Sequence, residues 1–263
     1  MNTRDQQTKL EQAARKLLQN LQALDGDADR LAHFYRGWAT SYELDVGQSG
    51  YCGPMIVAEL AGAVQTAYLD RQRAAIAILD AGCGTGLVGL ELERLGFRLI
   101  DGIDLSEEMA EQARQTGIYR HVRGAVDLNA PLSGYSSASY DLTVCCGVFT
   151  LGHVRPDALR ELARVTRPNG FIVASTRKTY AETACFEEEA RRLQDAGVLV
   201  TAQCLKDAKY VKEDVAHYWV FQVTPKPKHQ LSSDYNHVAA NLAGETVSRC
   251  DATLRANLDR LPG

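Results

Sequence analysis

The chain has 263 residues, 45% of them hydrophobic and 24% charged, with a formal net charge of −4. This is the make-up of an ordinary globular protein of one large or two small domains, which excludes a mainly disordered chain, a collagen-like repeat and a multi-span membrane protein. The mild acidity also excludes a nucleic-acid binder held by bulk charge.

Leu10, Ala14, Leu17, Leu18, Leu21 and Leu24 recur at helical spacing and predict an amphipathic helix over 5–24. Residues 25–29 break it, an aromatic stretch fills 33–42, and Gly47, Gly50, Gly53 and Pro54 mark a loop. Met55, Ile56, Ala58, Leu60 and Val64 predict a helix over 55–69. From residue 75 the pattern changes. The continuous apolar run 75–79 suits a strand buried on both faces of a parallel sheet. A helix over 86–95 and a strand over 98–104 follow. Ser106 is placed to cap a helix over 107–115, with Glu107 and Glu108 in its first turn. Further strands are predicted near 119–126, at 141–146 and at 171–175. A helix over 156–166 lies before the last of these and is stopped by Arg167-Pro168-Asn169-Gly170. Another helix, 181–195, ends at Gly197.

Alternation of strand and helix means a parallel sheet with crossover helices. The runs 198–205 and 218–224 have no long helix between them and predict an antiparallel hairpin at one sheet edge. Residues 225–236 read as a linker. Val247, Cys250, Leu254, Leu258 and Leu261 predict a terminal helix. The expected organisation is therefore an N-terminal helical cap or lid (1–70), a core (71–225), and a linker with C-terminal helix (226–263). The flanking helices offer an apolar stripe for a homodimer.

The seven cysteines are scattered and form no C-x-x-C pair, so no structural metal is expected. The polar run 1–16 holds no signal-peptide pattern, and no apolar run approaches about 18 residues. We therefore expect a cytoplasmic protein with free thiols and no membrane partner.

The strongest chemical signal is Asp80-Ala81-Gly82-Cys83-Gly84-Thr85-Gly86, set between a buried strand and a helix. Glycines allow positive φ and close approach of backbone to a ligand, and the following helix offers free N–H groups. Asp104 ends the second strand, where an acid in a doubly wound fold accepts both hydroxyls of an adenosine ribose. Gly84, Gly86 and Gly89 also fit G-x-G-x-x-G, which by itself would admit a dinucleotide oxidoreductase. Asp80 argues against that: an anion there disfavours a pyrophosphate and suits a ligand with a cationic amino group. A purely structural turn explains one or two glycines, but not Asp80, the spaced glycines and Asp104 together.

These residues, with the acid in Ile103-Asp104-Leu105-Ser106, Tyr140-Asp141-Leu142 and Arg167-Pro168-Asn169-Gly170, resemble the class I S-adenosylmethionine-dependent methyltransferases. With the stretch FYRGWATSYELDV, they are similar to the methyltransferase-like family of the Williams–Beuren chromosomal region and related small-molecule enzymes. The resemblance covers roughly residues 32–195. It implies a Rossmann-like seven-stranded sheet whose last pair is antiparallel, and S-adenosyl-L-methionine as cofactor. It also implies that Gly82, Cys83, Gly84 and Gly86 approach the methionine and ribose portions, and that Asp80 engages the amino group. On the same basis Asp104 would bind the ribose, Leu105 or Met109 would pack on the adenine, and Asp127 with Leu128 would contact the adenine amino group, a position that Ala125 also matches. Cys146 and Gly147 would line the cleft near the sulfonium.

Candidate catalytic residues are His153, in the loop after the fourth strand, and Tyr42, in an aromatic segment that closes over the cofactor in similar enzymes. Ordinary packing competes with both roles, and we assign Trp38 to packing. Tyr35, Tyr51, Arg177 and Tyr180 are candidate substrate contacts. Cys145 and Cys146 are adjacent on a strand and should point to opposite faces, which argues against paired thiol chemistry. The expected reaction is methyl transfer to a small-molecule acceptor. No N-P-P-[YF] tetrapeptide follows the fourth strand, which points away from amino groups of nucleic acid and protein. The alternatives are a non-methylating reaction on the same cofactor, or a noncatalytic ligand-binding domain.

Overall fold

A computed structural model describes residues 51–211 and 214–225. The expected helix over 5–24, the aromatic stretch with Tyr35, Trp38 and Tyr42, and the terminal helix lie outside the described residues.

The elements run α1 (Gly53–Tyr68), β1 (Ala77–Ala81), α2 (Leu87–Arg94), β2 (Leu99–Ile103), α3 (Glu107–Gln115) and β3 (His121–Arg123). They continue with β4 (Tyr140–Phe149), α4 (Leu159–Val165), β5 (Thr166–Arg177), α5 (Lys178–Thr183), α6 (Phe186–Asp195), β6 (Leu199–Val211) and β7 (Asp214–Val223). Together the strands form one seven-stranded sheet in the order β3-β2-β1-β4-β5-β7-β6. The first five are parallel, and β7 is antiparallel to both β5 and β6. The expected doubly wound sheet with a C-terminal hairpin is therefore present. Strand order reverses between β1 and β4, and in such sheets ligands bind at the carboxyl ends beside that reversal.

Alternation along the strands divides the core in two. Ile78, Ile100, Leu142, Val144, Cys146, Phe171 and Val173 face α1 and α2, meeting Ile56, Leu60, Val88 and Leu92. Leu79, Ile103, Cys145, Ile172 and Ala174 face α4 and α6, meeting Leu159, Leu162, Phe186 and Leu193. Each fully buried Val, Leu, Ile or Phe among them contributes about 1.5–3 kcal/mol. Cys145 and Cys146 fall in different cores, as their adjacency on a strand requires.

Several boundaries differ from the sequence expectation. Arg167-Pro168-Asn169-Gly170 does not precede β5 but lies inside it. Asn169 takes φ +63°, the ladder shifts register between Tyr140 and Leu142, and pairing resumes at Phe171. A side chain at Gly170 would come within 2.6 Å of the Asp141 carbonyl, so only glycine passes there. Arg167 and Arg71 both ion-pair with the buried Asp141, whose Oδ2 also accepts the Ala77 N–H at 2.7 Å. The helix expected over 156–166 starts as a 3-10 turn at Pro156–Ala158. The helix expected over 181–195 is two helices, broken where Cys185 takes φ +56°. Tyr180 and Phe186 both face the core, and six residues is out of phase for one helix face, so the chain must re-phase between them.

Among the described residues no helix is long and apolar enough to cross a membrane, and no group of three or more His, Cys, Asp or Glu could hold a metal.

Candidate active site

The glycine loop leaves β1 at the strand-order reversal. Gly82, Gly84 and Gly86 take φ of +78°, +54° and +101°, a region costly to other residues. The N–H groups of Gly82 and Cys83 both donate to the Ile103 carbonyl, at 2.8 and 2.9 Å, which ties the loop to the end of β2. A side chain at Gly82 would overlap Val148, while one at Gly84 would meet nothing within 4 Å. The loop is therefore packed against β4 on one side and open at its tip.

Asp104 is held from both sides. Its Oδ2 accepts the Gly84 N–H and its Oδ1 accepts the Ser106 N–H, each at 2.8 Å. A carboxylate has about four lone-pair sites, so this grip leaves acceptor capacity for two hydroxyls. Burial raises its pKa, and the backbone donors work against that rise. Ser106 caps α3, its hydroxyl accepting the Met109 N–H, as its position in the sequence suggested. Leu105 is half-buried and Met109 buried beside it. The Asp104 carbonyl accepts the Val126 N–H at 2.9 Å, which draws the loop of Ala125, Asp127 and Leu128 alongside. Asp127 turns that loop by accepting the Asn129 N–H, and Leu128 is buried in the core.

Asp80 is fully buried. Its Oδ2 accepts the Tyr119 hydroxyl at 2.7 Å, and its Oδ1 has no hydrogen-bond partner among the described residues. Burial pushes this carboxyl up to about 7; the Tyr119 hydrogen bond opposes the rise and the Asp104 charge adds to it. A buried carboxylate oxygen with no donor is costly, and a cationic ligand would satisfy it. The residues present thus fit the amino group that the sequence assigned to Asp80.

A second cluster sits at the carboxyl ends of β4 and β5. Tyr51 lies 3.2 Å from the Cys146 thiol, and the Tyr210 hydroxyl donates to that of Tyr51 at 3.2 Å. Gly147, at φ +78°, donates its N–H to Ser175 Oγ at 3.0 Å, and a side chain there would meet both phenols. Arg177 lies over the Tyr210 ring and ion-pairs with Asp214, while its buried Nε has no partner. Burial pushes the Cys146 thiol up to about 12, so it stays protonated. The structure therefore brings Tyr51, Cys146, Gly147 and Arg177 together.

His153 and Tyr180 belong to neither cluster. The His153 Nδ1 donates to the Leu151 carbonyl at 3.1 Å, and burial pushes the imidazole down to about 4. Tyr180 is buried against Phe149 and Phe186 and donates to the Val154 carbonyl at 2.7 Å. Tyr35 and Tyr42 lie outside the described residues.

Sequence reading missed Tyr119, Ser175 and Tyr210. Tyr210 was lost because β6 runs six residues past its expected end. Tyr119 had a trace in the sequence: Gly89, in the first turn of α2, and Gly102, at mid-strand, are the positions over which its ring lies.

A family model described as a methyltransferase domain matches residues 79–174. Human methyltransferase-like protein 27 is 31% identical over 175 residues, spanning 65% of this chain and 69% of that protein. A ubiquinone biosynthesis O-methyltransferase of Xanthomonas oryzae pv. oryzae is 36% identical over 109 residues, which is 42% of its length. In fold, a TehB-like SAM-dependent methyltransferase from Corynebacterium glutamicum superposes with a TM-score of 0.50 at 23% identity, covering 75% of this chain and 98% of its own.

Proposed function

The chain belongs to the class I S-adenosylmethionine-dependent methyltransferases, with S-adenosyl-L-methionine as its cofactor, and we propose that it methylates a small-molecule acceptor by in-line transfer. When bound, the cofactor supplies an activated methyl group on a sulfonium. The proposal gives Asp80 Oδ1 the cofactor's amino group, Asp104 the ribose hydroxyls, and the Gly82–Gly86 backbone the stretch between them. Leu105, Met109 and the loop at Ala125, Asp127 and Leu128 would hold the adenine. The observation that carries this reading is the buried Asp80 Oδ1, which has no partner among the described residues and lies at the root of the glycine loop that Asp104 grips through the Gly84 N–H.

We assign the acceptor to the cluster of Tyr51, Cys146, Gly147, Ser175 and Tyr210. Gly147 lets the Tyr51 and Tyr210 hydroxyls close in on the end of β4, where any side chain would crowd both. The linked phenols of Tyr51 and Tyr210 can orient a polar acceptor and move a proton along their hydroxyls, while the protonated Cys146 thiol is no competing nucleophile. His153 is neutral at physiological pH and gives little drive for proton removal, and Tyr180 supports the loop ahead of it. Proximity and orientation then supply most of the acceleration. The O-methyltransferase among the similar proteins supports a small-molecule acceptor.

The test is to incubate the protein with S-adenosyl-L-methionine and a panel of hydroxylated, carboxylated and amine metabolites, and to follow product mass. One added methyl with an equal yield of S-adenosylhomocysteine supports the proposal. A product without that methyl would move the reading to a non-methylating reaction on the same cofactor.

A further inference from the structure

Three glycines, two at the start of α2 and one in β2, surround one aromatic ring. A side chain at Gly86, the cap of α2, would come within 3.2 Å of the Tyr119 ring, and so would one at Gly102 in β2. A side chain at Gly89, inside α2, would overlap the Tyr119 hydroxyl itself. Glycine within a helix is less favourable than alanine, by up to about 1 kcal/mol in its interior, and glycine within a strand weakens it too. Such sacrifices would be explained by packing alone if the ring ended in an apolar pocket. It ends instead on the buried Asp80 carboxylate, at 2.7 Å. Only one carboxylate oxygen is taken, and the other is left without a donor.

We propose that Tyr119 is a positioning residue for the cofactor: its hydroxyl, delivered through the glycine slot, fixes Asp80 Oδ2 and presents Oδ1 to the amino group. The proposal rests on Asp80 receiving that group. It also gives Gly89 a purpose that no dinucleotide fingerprint supplies. Among the described residues, the titratable groups that face Asp80 are the Tyr119 phenol, the Asp104 carboxylate, and the thiols of Cys83, Cys145 and Cys146. None is a cation, so the neutral phenol is what steadies the ionised carboxylate before the ligand arrives.

Two probes separate this role from simple packing. S-adenosylhomocysteine carries the amino group, and 5′-methylthioadenosine lacks it. Tyr119→Phe keeps the ring in its slot. It should weaken S-adenosylhomocysteine about ten-fold at pH 7 by calorimetric titration, and leave 5′-methylthioadenosine unchanged. The pH at which S-adenosylhomocysteine binding reaches half its maximum should rise by roughly one unit, because the carboxylate has lost a donor. Gly89→Ala should reproduce the selective loss by displacing the hydroxyl. Equal weakening of both probes would make Tyr119 a packing residue and overturn the proposal, as would no weakening of either. Asp80→Asn in the same assay separates the two ideas. If it keeps full S-adenosylhomocysteine affinity, the assignment of Asp80 fails; if it loses that affinity while Tyr119→Phe does not, only the role of Tyr119 fails.

Discussion

Replacing Asp80 with asparagine should make the protein more stable and less able to bind its cofactor. Asp80 is fully buried, and its carboxyl is raised from 3.8 to about 7. An acid whose folded pKa lies above its unfolded value favours the folded state only while it is protonated. Stability from this group is therefore lost as pH rises from the unfolded pKa through the folded one. Integrating the proton difference gives a cost of about 4 kcal/mol at pH 8 and about 2 kcal/mol at pH 5.5. Asparagine has the same shape, can still accept the Tyr119 hydroxyl, and never ionises. The stability gap between variant and wild type should thus widen by about 2 kcal/mol between pH 5.5 and pH 8. For a chain of this size that is roughly 4–8 °C in Tm. Asp104 titrates in both proteins and largely cancels in the difference. The assay is thermal unfolding without cofactor at several pH values, paired with the Tm rise caused by S-adenosylhomocysteine. A Tm gap that does not change with pH would refute the argument that Asp80 is held against its own ionisation.

Other outcomes follow from the same geometry. Asp104→Ala removes the acceptor that joins Gly84 to Ser106, and should abolish the S-adenosylhomocysteine-induced Tm rise in a thermal-shift titration. Gly82→Ala forces a side chain onto Val148 at φ +78°, and should cost about 2 kcal/mol or more in denaturant unfolding. His153→Asn should leave kcat within a few-fold of wild type once an acceptor is known. The wild-type pH–rate profile should then show no inflection near 6.5, because burial keeps that imidazole neutral well below that pH.

The sheet, and the glycine loop with its two acids, were legible because both are local. An apolar run, a glycine loop and an acid at the next strand end all fall within one strand-helix-strand unit. Ser106 as a cap and the 107–115 helix were readable for the same reason, since a cap acts within four residues. What could not be read is what depends on partners far along the chain. Arg167-Pro168-Asn169-Gly170 looks like a terminator, yet Arg167 is committed to Asp141 and the strand continues through it. The break at Cys185 is set by which core Tyr180 and Phe186 must reach, a tertiary demand that overrides local helix propensity. Tyr119 follows a short helix and resembles any half-buried tyrosine until its ring is placed over three glycines from two other elements.

The two halves of the site differ in how they are encoded. The residues around the glycine loop and its acids come from one contiguous stretch, 80–128. The rim proposed for the acceptor is closed by a hydroxyl pair, Tyr51 and Tyr210, that are 159 residues apart, and by the Cys52 N–H donating to the Tyr210 carbonyl at 3.0 Å. The rim therefore exists only once the last hairpin has docked on the start of α1, whereas the loop and its acids can form from their own neighbourhood. Such an arrangement is modular in inheritance: changes at the two ends of the domain can reshape what is admitted without disturbing what is already bound.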